Sequence, residues 1–353
     1  MASLLRTSTP NAARLLLRAT PRVFGVPLSQ GTTQPQPRTR SIHTSTALSS
    51  PPASSSPQDH TSGNSTISNH DPNLNTVNQS EVSHFDALAS TWWDSHGPSR
   101  LLHLMNPLRH DFIAACHASE PPPPPADGSS PQPSSSQPRQ GLHYLDVGCG
   151  GGIFAESAAR LPTAASVTAI DASSQVLAVA RAHLRRETPA VQAKLTYLHS
   201  SVEALSPAVG PEGGAAGPAK QYDVVTTFEV LEHVDNPSAF LQRCGALVRP
   251  GGWLVLSTMA RTWTSWATTI LAAEHVLGIV PPGTHDWKKY VDVEELRAHF
   301  ASRPASEGWT GNGSAERCQG VVYVPGLGWK AVPGSEKVGN YFYAVRKSPY
   351  VAT

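Results

Sequence analysis

Past its amino-terminal stretch, the chain alternates between two hydrophobic periods. "EVSHFDALASTWWD" sets Phe85, Leu88, Ala89, Trp92 and Trp93 at helical spacing, so one face is apolar. "HYLDVG" reads as a short strand, "GGIFAESAARL" as a helix that starts in glycines, and "VTAID" as a second strand. "SSQVLAVARAHLRR" predicts a serine-capped helix with Val176, Leu177, Ala180 and Leu184 on one face. "LTYLHS" and "YDVVTTF" are strands, and "NPSAFLQRCGALV" is a helix with Asn236 as cap and Pro237 at its first position. "PGG" then turns into the strand "WLVLSTM", and "GVVYVP" and "YFYAVRK" form a closing antiparallel pair. Strands alternating with helices predict a mostly parallel sheet covered on both faces, an α/β domain over residues 81–353.

Three other segments break this pattern. "EPPPPPADGSSPQPSSSQPRQ" and "SPAVGPEGGAAGPAK" favour neither helix nor ladder, because proline lacks the donor and clashes with the preceding turn. They read as surface insertions at 119–140 and 206–220, where added length carries a small entropic cost. Residues 1–58 contain no acidic residue, while Arg6, Arg14, Arg18, Arg22, Arg38 and Arg40 are interspersed with Leu, Ser, Thr and Ala. That composition predicts a mitochondrial transit peptide over 1–49, with "RSIHTSTALS" as a two-step matrix processing site. The Ser/Pro/Asn-rich stretch 50–80 is then a disordered linker.

Charge and cysteine usage exclude more than they assign. Lys and Arg number 27 against 26 Asp and Glu, so no global field points to nucleic acid. Four cysteines lie without CxxC spacing, which suits a reducing compartment and neither a disulfide framework nor a zinc site. "TWTSWATTILAAEHVLGIVPPG" is apolar, free of Lys and Arg, and helically spaced, so it predicts either a core helix or one lying in a membrane interface.

The glycine loop "LDVGCGGGIFAE" stands between the first strand and its helix. Its glycines let the backbone turn tightly and approach a ligand at a helix amino terminus. By itself the loop is ambiguous: "GGGIFA" fits G-x-G-x-x-A, and Asp171 lies about where a dehydrogenase ribose-binding acid would. Two features favour methyl transfer over hydride transfer. Asp146 just before the loop suits a cationic ligand better than a pyrophosphate, and the chain continues to "FEVLEH" and "PGG" without a second half-fold.

Together, "LDVGCGGG…AID", "YDVVTTFEVLEHV", "LVRPGGWLVLSTMART", "GTHDWKKYV" and, upstream, "FDALASTWWD…LHLMNPLRHDFI" resemble the mitochondrial ubiquinone biosynthesis O-methyltransferases, of the class I S-adenosylmethionine-dependent family. The resemblance implies a Rossmann-like fold and methylation of catechol hydroxyls on polyprenylated rings, 3,4-dihydroxy-5-polyprenylbenzoate and demethylubiquinol. It implies no nucleic-acid partner, and a peripheral place on the matrix side of the inner membrane beside other ubiquinone-biosynthesis proteins. Asp171 resembles the acid on the ribose hydroxyls, Gly148 the glycine whose backbone meets the cofactor, and Phe228 a variable residue against it. Arg109 of "NPLR" resembles a cofactor-site arginine, placed to clamp the methionine carboxylate. Ser200 and Ser201 depart from the acidic residue that relatives often carry near adenine.

Read as one helical turn, "EVLEHV" puts Glu229, Glu232 and His233 at i, i+3 and i+4, on a single face. Two carboxylates and an imidazole there could hold a divalent cation, and the resemblance implies a magnesium-type ion (Mg2+) that would favour the catecholate. His233 is also the expected catalytic residue, with His285 and Lys288 of "GTHDWKK" as further proton acceptors or substrate contacts. Simpler roles exist for each: Arg109 on a helix surface, Asp171 as a helix cap, the E-x-x-E-H residues as a metal-free pocket wall. Two other functions fit the same motifs, a small-RNA 2′-O-methyltransferase and a non-catalytic scaffold.

Overall fold

The computed structural model describes residues 75–119, 141–205, 220–262, 265, 287–312 and 314–350. Eight strands form one sheet in the order β3-β2-β1-β4-β5-β8-β6-β7. Five of them, β1 (Leu142–Val147), β2 (Ala164–Asp171), β3 (Leu195–His199), β4 (Tyr222–Phe228) and β5 (Val248–Met259), run parallel. β8 (Asn340–Arg346) is antiparallel to β5, and β6 (Ala315–Val324) is antiparallel to β8, which confirms the closing pair. A short strand, β7 (Gly328–Ala331), absent from the sequence reading, hairpins onto the end of β6. "PGG" does not turn before its strand. It lies inside β5 as an irregularity between the Tyr222–Val248 and Val224–Trp253 pairs, with Gly251 at φ +77°.

Side-chain alternation along the strands builds two cores. On one face Tyr144, Val167 and Ala169 pack under α2 (Arg100–Ala118), α3 (Ile153–Ala159), α4 (Ser174–Leu184) and α5 (Pro189–Lys194). On the other, Leu145, Val147 and Ile170 pack under α6 (Val202–Leu205), α7 (Pro237–Ala246) and α8 (Val293–Ala301). The caps fall where expected: the Ser173 hydroxyl accepts from Val176 N, and Asn236 Oδ1 accepts from Ala239 N at 3.0 Å. Asp292 and Glu295 form a capping box on α8.

The transit-peptide and insertion readings, together with the apolar stretch ending in "VPPG", lie essentially outside the described residues. The carboxyl end of the linker does not, and it is packed. Thr76 is buried and bonded to Glu203, and Asn78 caps α1 (Gln79–Leu88), so the folded domain begins before residue 81. The apolar face read through Trp93 is not one helix: α1 gives way to a 3₁₀ turn at Ala89–Thr91, and both tryptophans follow it.

One core histidine makes the fold pH-sensitive. His299 of α8 is 5% exposed, with Nδ1 3.3 Å from the Ser238 hydroxyl and its ring edge-on to Phe300. Burial, then nearby Arg303, pushes its pKa down to about 4, with Glu307 opposing. The unfolded chain therefore binds the proton first as pH falls. The stability gained by keeping His299 neutral is complete above about 6.5 and is lost between there and about 4, at most roughly 3 kcal/mol. Thermal melts from pH 7.5 to 4.5 should show a smaller loss for His299→Gln than for the native chain. Parallel curves would assign the acid loss to other groups.

Candidate active site

The carboxyl ends of β1, β2 and β4 open into a cavity of about 640 Å³. β1 delivers Asp146, which is buried and accepts from the Thr226 hydroxyl at 2.7 Å; burial raises its pKa to about 7. The glycine loop follows. Gly150 adopts φ +53°, and a Cβ there would lie 2.5 Å from the Trp92 indole. Gly152, at φ +87°, starts α3, and its Cβ would lie 1.9 Å from the Tyr197 hydroxyl. Gly148 lines the cavity, with its N–H donated to Ile170 O at 2.9 Å. Cys149 is buried and its pKa is raised well above the ordinary value, chiefly by that burial, which fits packing rather than nucleophilic attack.

Asp171 ends β2 and ties the loop down. Its Oδ2 accepts from Gly150 N at 2.9 Å and its Oδ1 from Ser173 N at 2.8 Å. It does not cap the helix, since Ser173 does. Each carboxylate oxygen retains acceptor capacity toward the cavity that Asp171 lines. Ser200 and Ser201 line the same end.

Arg109 is no surface residue. It is 3% exposed, its guanidinium carbon lies 4.7 Å above the Phe228 ring, and its Nε has no protein partner among the described residues. Burial opposes its charge, and Glu229, Asp146 and Glu232 support it. Phe228 also packs on Phe154 and lines the cavity. The guanidinium therefore sits between the cofactor-type loop and the acidic end.

That acidic end departs from the helical expectation. Glu229 stands outside any helix at φ +55°, a left-handed conformation rare for glutamate, and only Leu231–His233 form a turn, of 3₁₀ type. A helical i, i+3, i+4 face therefore does not exist. The three side chains still line one cavity, each held by a different partner. The Ser257 hydroxyl donates to Glu229 Oε1 at 2.6 Å, and the Thr258 hydroxyl to Glu232 Oε2 at 2.9 Å. Burial, then the Glu229 charge, raises the Glu232 pKa. His233 Nδ1 lies 3.0 Å from Glu81 Oε2, and Lys289 Nζ donates to Glu81 Oε1 at 2.9 Å. Those two partners hold the Glu81 pKa down to about 2, the His233 hydrogen bond first. A carboxylate can only accept, so Nδ1 carries a proton and Nε2 is left for other work.

Sequence reasoning missed Glu81 by following only the apolar face of α1. Glu81 lies one turn before Phe85 on that face, and the Phe85 ring meets His233 edge-on at 5.0 Å. His285 lies outside the described residues. Lys288 is exposed and does not line the cavity; its neighbour Lys289 reaches Glu81 instead. As a metal site the predicted donors match in chemistry, two carboxylates and an imidazole on a buried cavity, but not in spacing. Among the described residues, three His, Cys, Asp or Glu ligand atoms lie within 4.8 Å of one another only at Glu156, His183 and Glu187, where Arg160 bridges the carboxylates.

A parallel sheet flanked by helices, a glycine loop closed by an acid on β2, and an acid-lined cavity at the strand ends define a Rossmann-like class I methyltransferase. The comparisons agree and narrow it. A family model described as a methyltransferase domain matches residues 122–303. The mitochondrial ubiquinone biosynthesis O-methyltransferase of Candida albicans is 38% identical over 80% of this chain and 89% of its own. That of Schizosaccharomyces pombe is 40% identical over 77% and 87%. Among solved structures, magnesium protoporphyrin IX methyltransferase from Synechocystis PCC 6803 is similar at 16% identity and TM-score 0.46, over 75% of this chain and 95% of that one. The chain belongs to the ubiquinone biosynthesis O-methyltransferase family.

Proposed function

We propose that the chain transfers a methyl group from S-adenosylmethionine to catechol hydroxyls of polyprenylated ring intermediates in ubiquinone biosynthesis. The observation that carries this reading is the single cavity joining the glycine loop and Asp171 to Glu229, Glu232 and His233. Asp171 receives the ribose hydroxyls on acceptor capacity left by its two backbone contacts, and Arg109 holds the methionine carboxylate. Phe228 packs beside the methionine end. His233, with Nδ1 fixed by Glu81, offers Nε2 to the proton of a ring hydroxyl. That nitrogen has a single lone pair, so it would instead be a ligand, and not the proton acceptor, where it joins Glu229 and Glu232 in holding a divalent cation after side-chain adjustment. When bound, such an ion lowers the pKa of a catechol oxygen.

The charges along the wall disfavour the many phosphates of an RNA chain. Among the described residues the cavity is lined by six carboxylates (Glu81, Asp146, Asp171, Glu203, Glu229, Glu232) and a single guanidinium, Arg109, an acidic balance that would repel a phosphate backbone. The acid-free leader and the names of the relatives support a mitochondrial location. The lipid nature of the substrate supports a peripheral place on the matrix face of the inner membrane, beside other enzymes of the pathway. No helix among the described residues is long and apolar enough to cross a membrane. Incubating residues 50–353 with methyl-labelled S-adenosylmethionine and a prenylated catechol should yield a labelled mono-O-methyl ether. Cofactor binding without transfer to any catechol would overturn the reading.

A further inference from the structure

The cavity does not end at the reacting centre. It continues away from the glycine loop to the far edge of the sheet, where β6 and β7 form a hairpin. β6 runs in the direction of β5, and its pairing with β8 stops at Gly320–Tyr341. Val321 to Val324 pair with β7 alone, so the hairpin overhangs the carboxyl ends of the parallel strands, the edge where Asp146, Asp171 and Glu229 lie. The Trp329 indole fastens it to α2 by donating to Leu101 O at 3.0 Å, and the Tyr323 ring packs 5.5 Å from Trp329. Between hairpin and helix the cavity wall is Leu101, Met105, Val321, Tyr323 and Trp329, without a charged side chain among the described residues. At the mouth, Val338 is 42% exposed, so this arm opens to solvent.

Such a wall has no charged group with which to hold the sulfonium cofactor or to take the proton of a catechol hydroxyl. Its chemistry suits hydrocarbon, whose transfer from water is favoured in proportion to the area covered. We propose that the arm between α2 and the β6–β7 hairpin is the subsite for the polyprenyl chain, and that its open mouth lets a longer chain leave the protein. The inference rests on the function proposed above and assigns the part of the cavity that function leaves unused. The hairpin thereby selects for a tailed ring, while the strand ends act on the ring itself.

The test compares kcat/KM for two catechols of identical ring, one bearing a three-isoprene tail and one bearing none. The native chain should prefer the tailed ring at least tenfold. Tyr323→Glu, at a partly exposed position on the α2-facing side of the hairpin, should reduce that preference about tenfold through KM of the tailed substrate, with cofactor affinity by calorimetry as the control for folding. Leu327→Glu, at the 68% exposed hairpin tip and outside the cavity wall, should leave the preference intact. A native chain that methylates both catechols equally well, or a Tyr323→Glu chain that keeps its preference, overturns the subsite and leaves the proposed function standing. No transfer to either catechol overturns that function and the subsite with it.

Discussion

Gly152→Ala is expected to weaken S-adenosylmethionine binding at least tenfold. At φ +87° an L-residue is strained by roughly 1–2 kcal/mol, and the new methyl would stand 1.9 Å from the Tyr197 hydroxyl. Tyr197 is 7% exposed, so it cannot swing into solvent. Relief must come from the loop, which Asp171 fixes through Gly150 N and on which the cofactor would lie. The Tyr197 hydroxyl has no partner among the described residues, so Tyr197→Phe alone should cost little. Combined with Gly152→Ala it should restore part of the affinity, and part only, because the ring carbon bearing the hydroxyl remains 2.8 Å from the added methyl. Calorimetric titration of the three variants checks this. Native affinity in Gly152→Ala would show that the cofactor does not depend on this loop.

Where local period and tertiary structure agree, the sequence was a good guide. β1, β2, β4 and β5 alternate residues between two cores and β3 between one core and solvent, and Ser173 and Asn236 cap the helices their spacing announces. Elements that break a local rule were harder to read. Pro107 sits inside the nineteen-residue helix α2, where a proline normally argues against helix, yet this helix presents Arg109 to the cavity. β7 is four residues between glycine-rich turns, too short to show a period.

Which residues share the cavity was legible in part, and their geometry was not. "FEVLEHV" does place its three polar side chains on one cavity, but Glu229 reaches it from a left-handed conformation that no helical spacing predicts. What bends the chain there is long-range: Glu229 N–H bonds back to Ser257 on β5 while the side chain accepts from the same hydroxyl. Glu81 and Lys289 were invisible for the same reason. They lie 152 and 56 residues from His233, on either side of it, and only the fold brings both to one carboxylate–imidazole contact.

Glu232→Gln is expected to lower kcat by about 100- to 1000-fold while leaving cofactor affinity within a few-fold, a loss of roughly 3–4 kcal/mol of transition-state stabilisation. The amide can still accept from Thr258, so the pocket wall stays in place. Removing a buried carboxylate whose charge is disfavoured by desolvation should leave the melting temperature unchanged or higher. Glu81→Gln should cost less, about tenfold, because it loosens the His233 ring without removing it from the cavity. Chelation separates the two roles open to these residues. If Glu229, Glu232 and His233 hold a divalent cation, chelator should reproduce the Glu232→Gln loss in the native chain and add nothing to the variant. Restoring excess Mg2+ should then recover the native rate alone. Full activity in chelator, beside an inactive Glu232→Gln, would reject the cation and leave the carboxylates as counter-charges to Arg109 and orienting groups for His233.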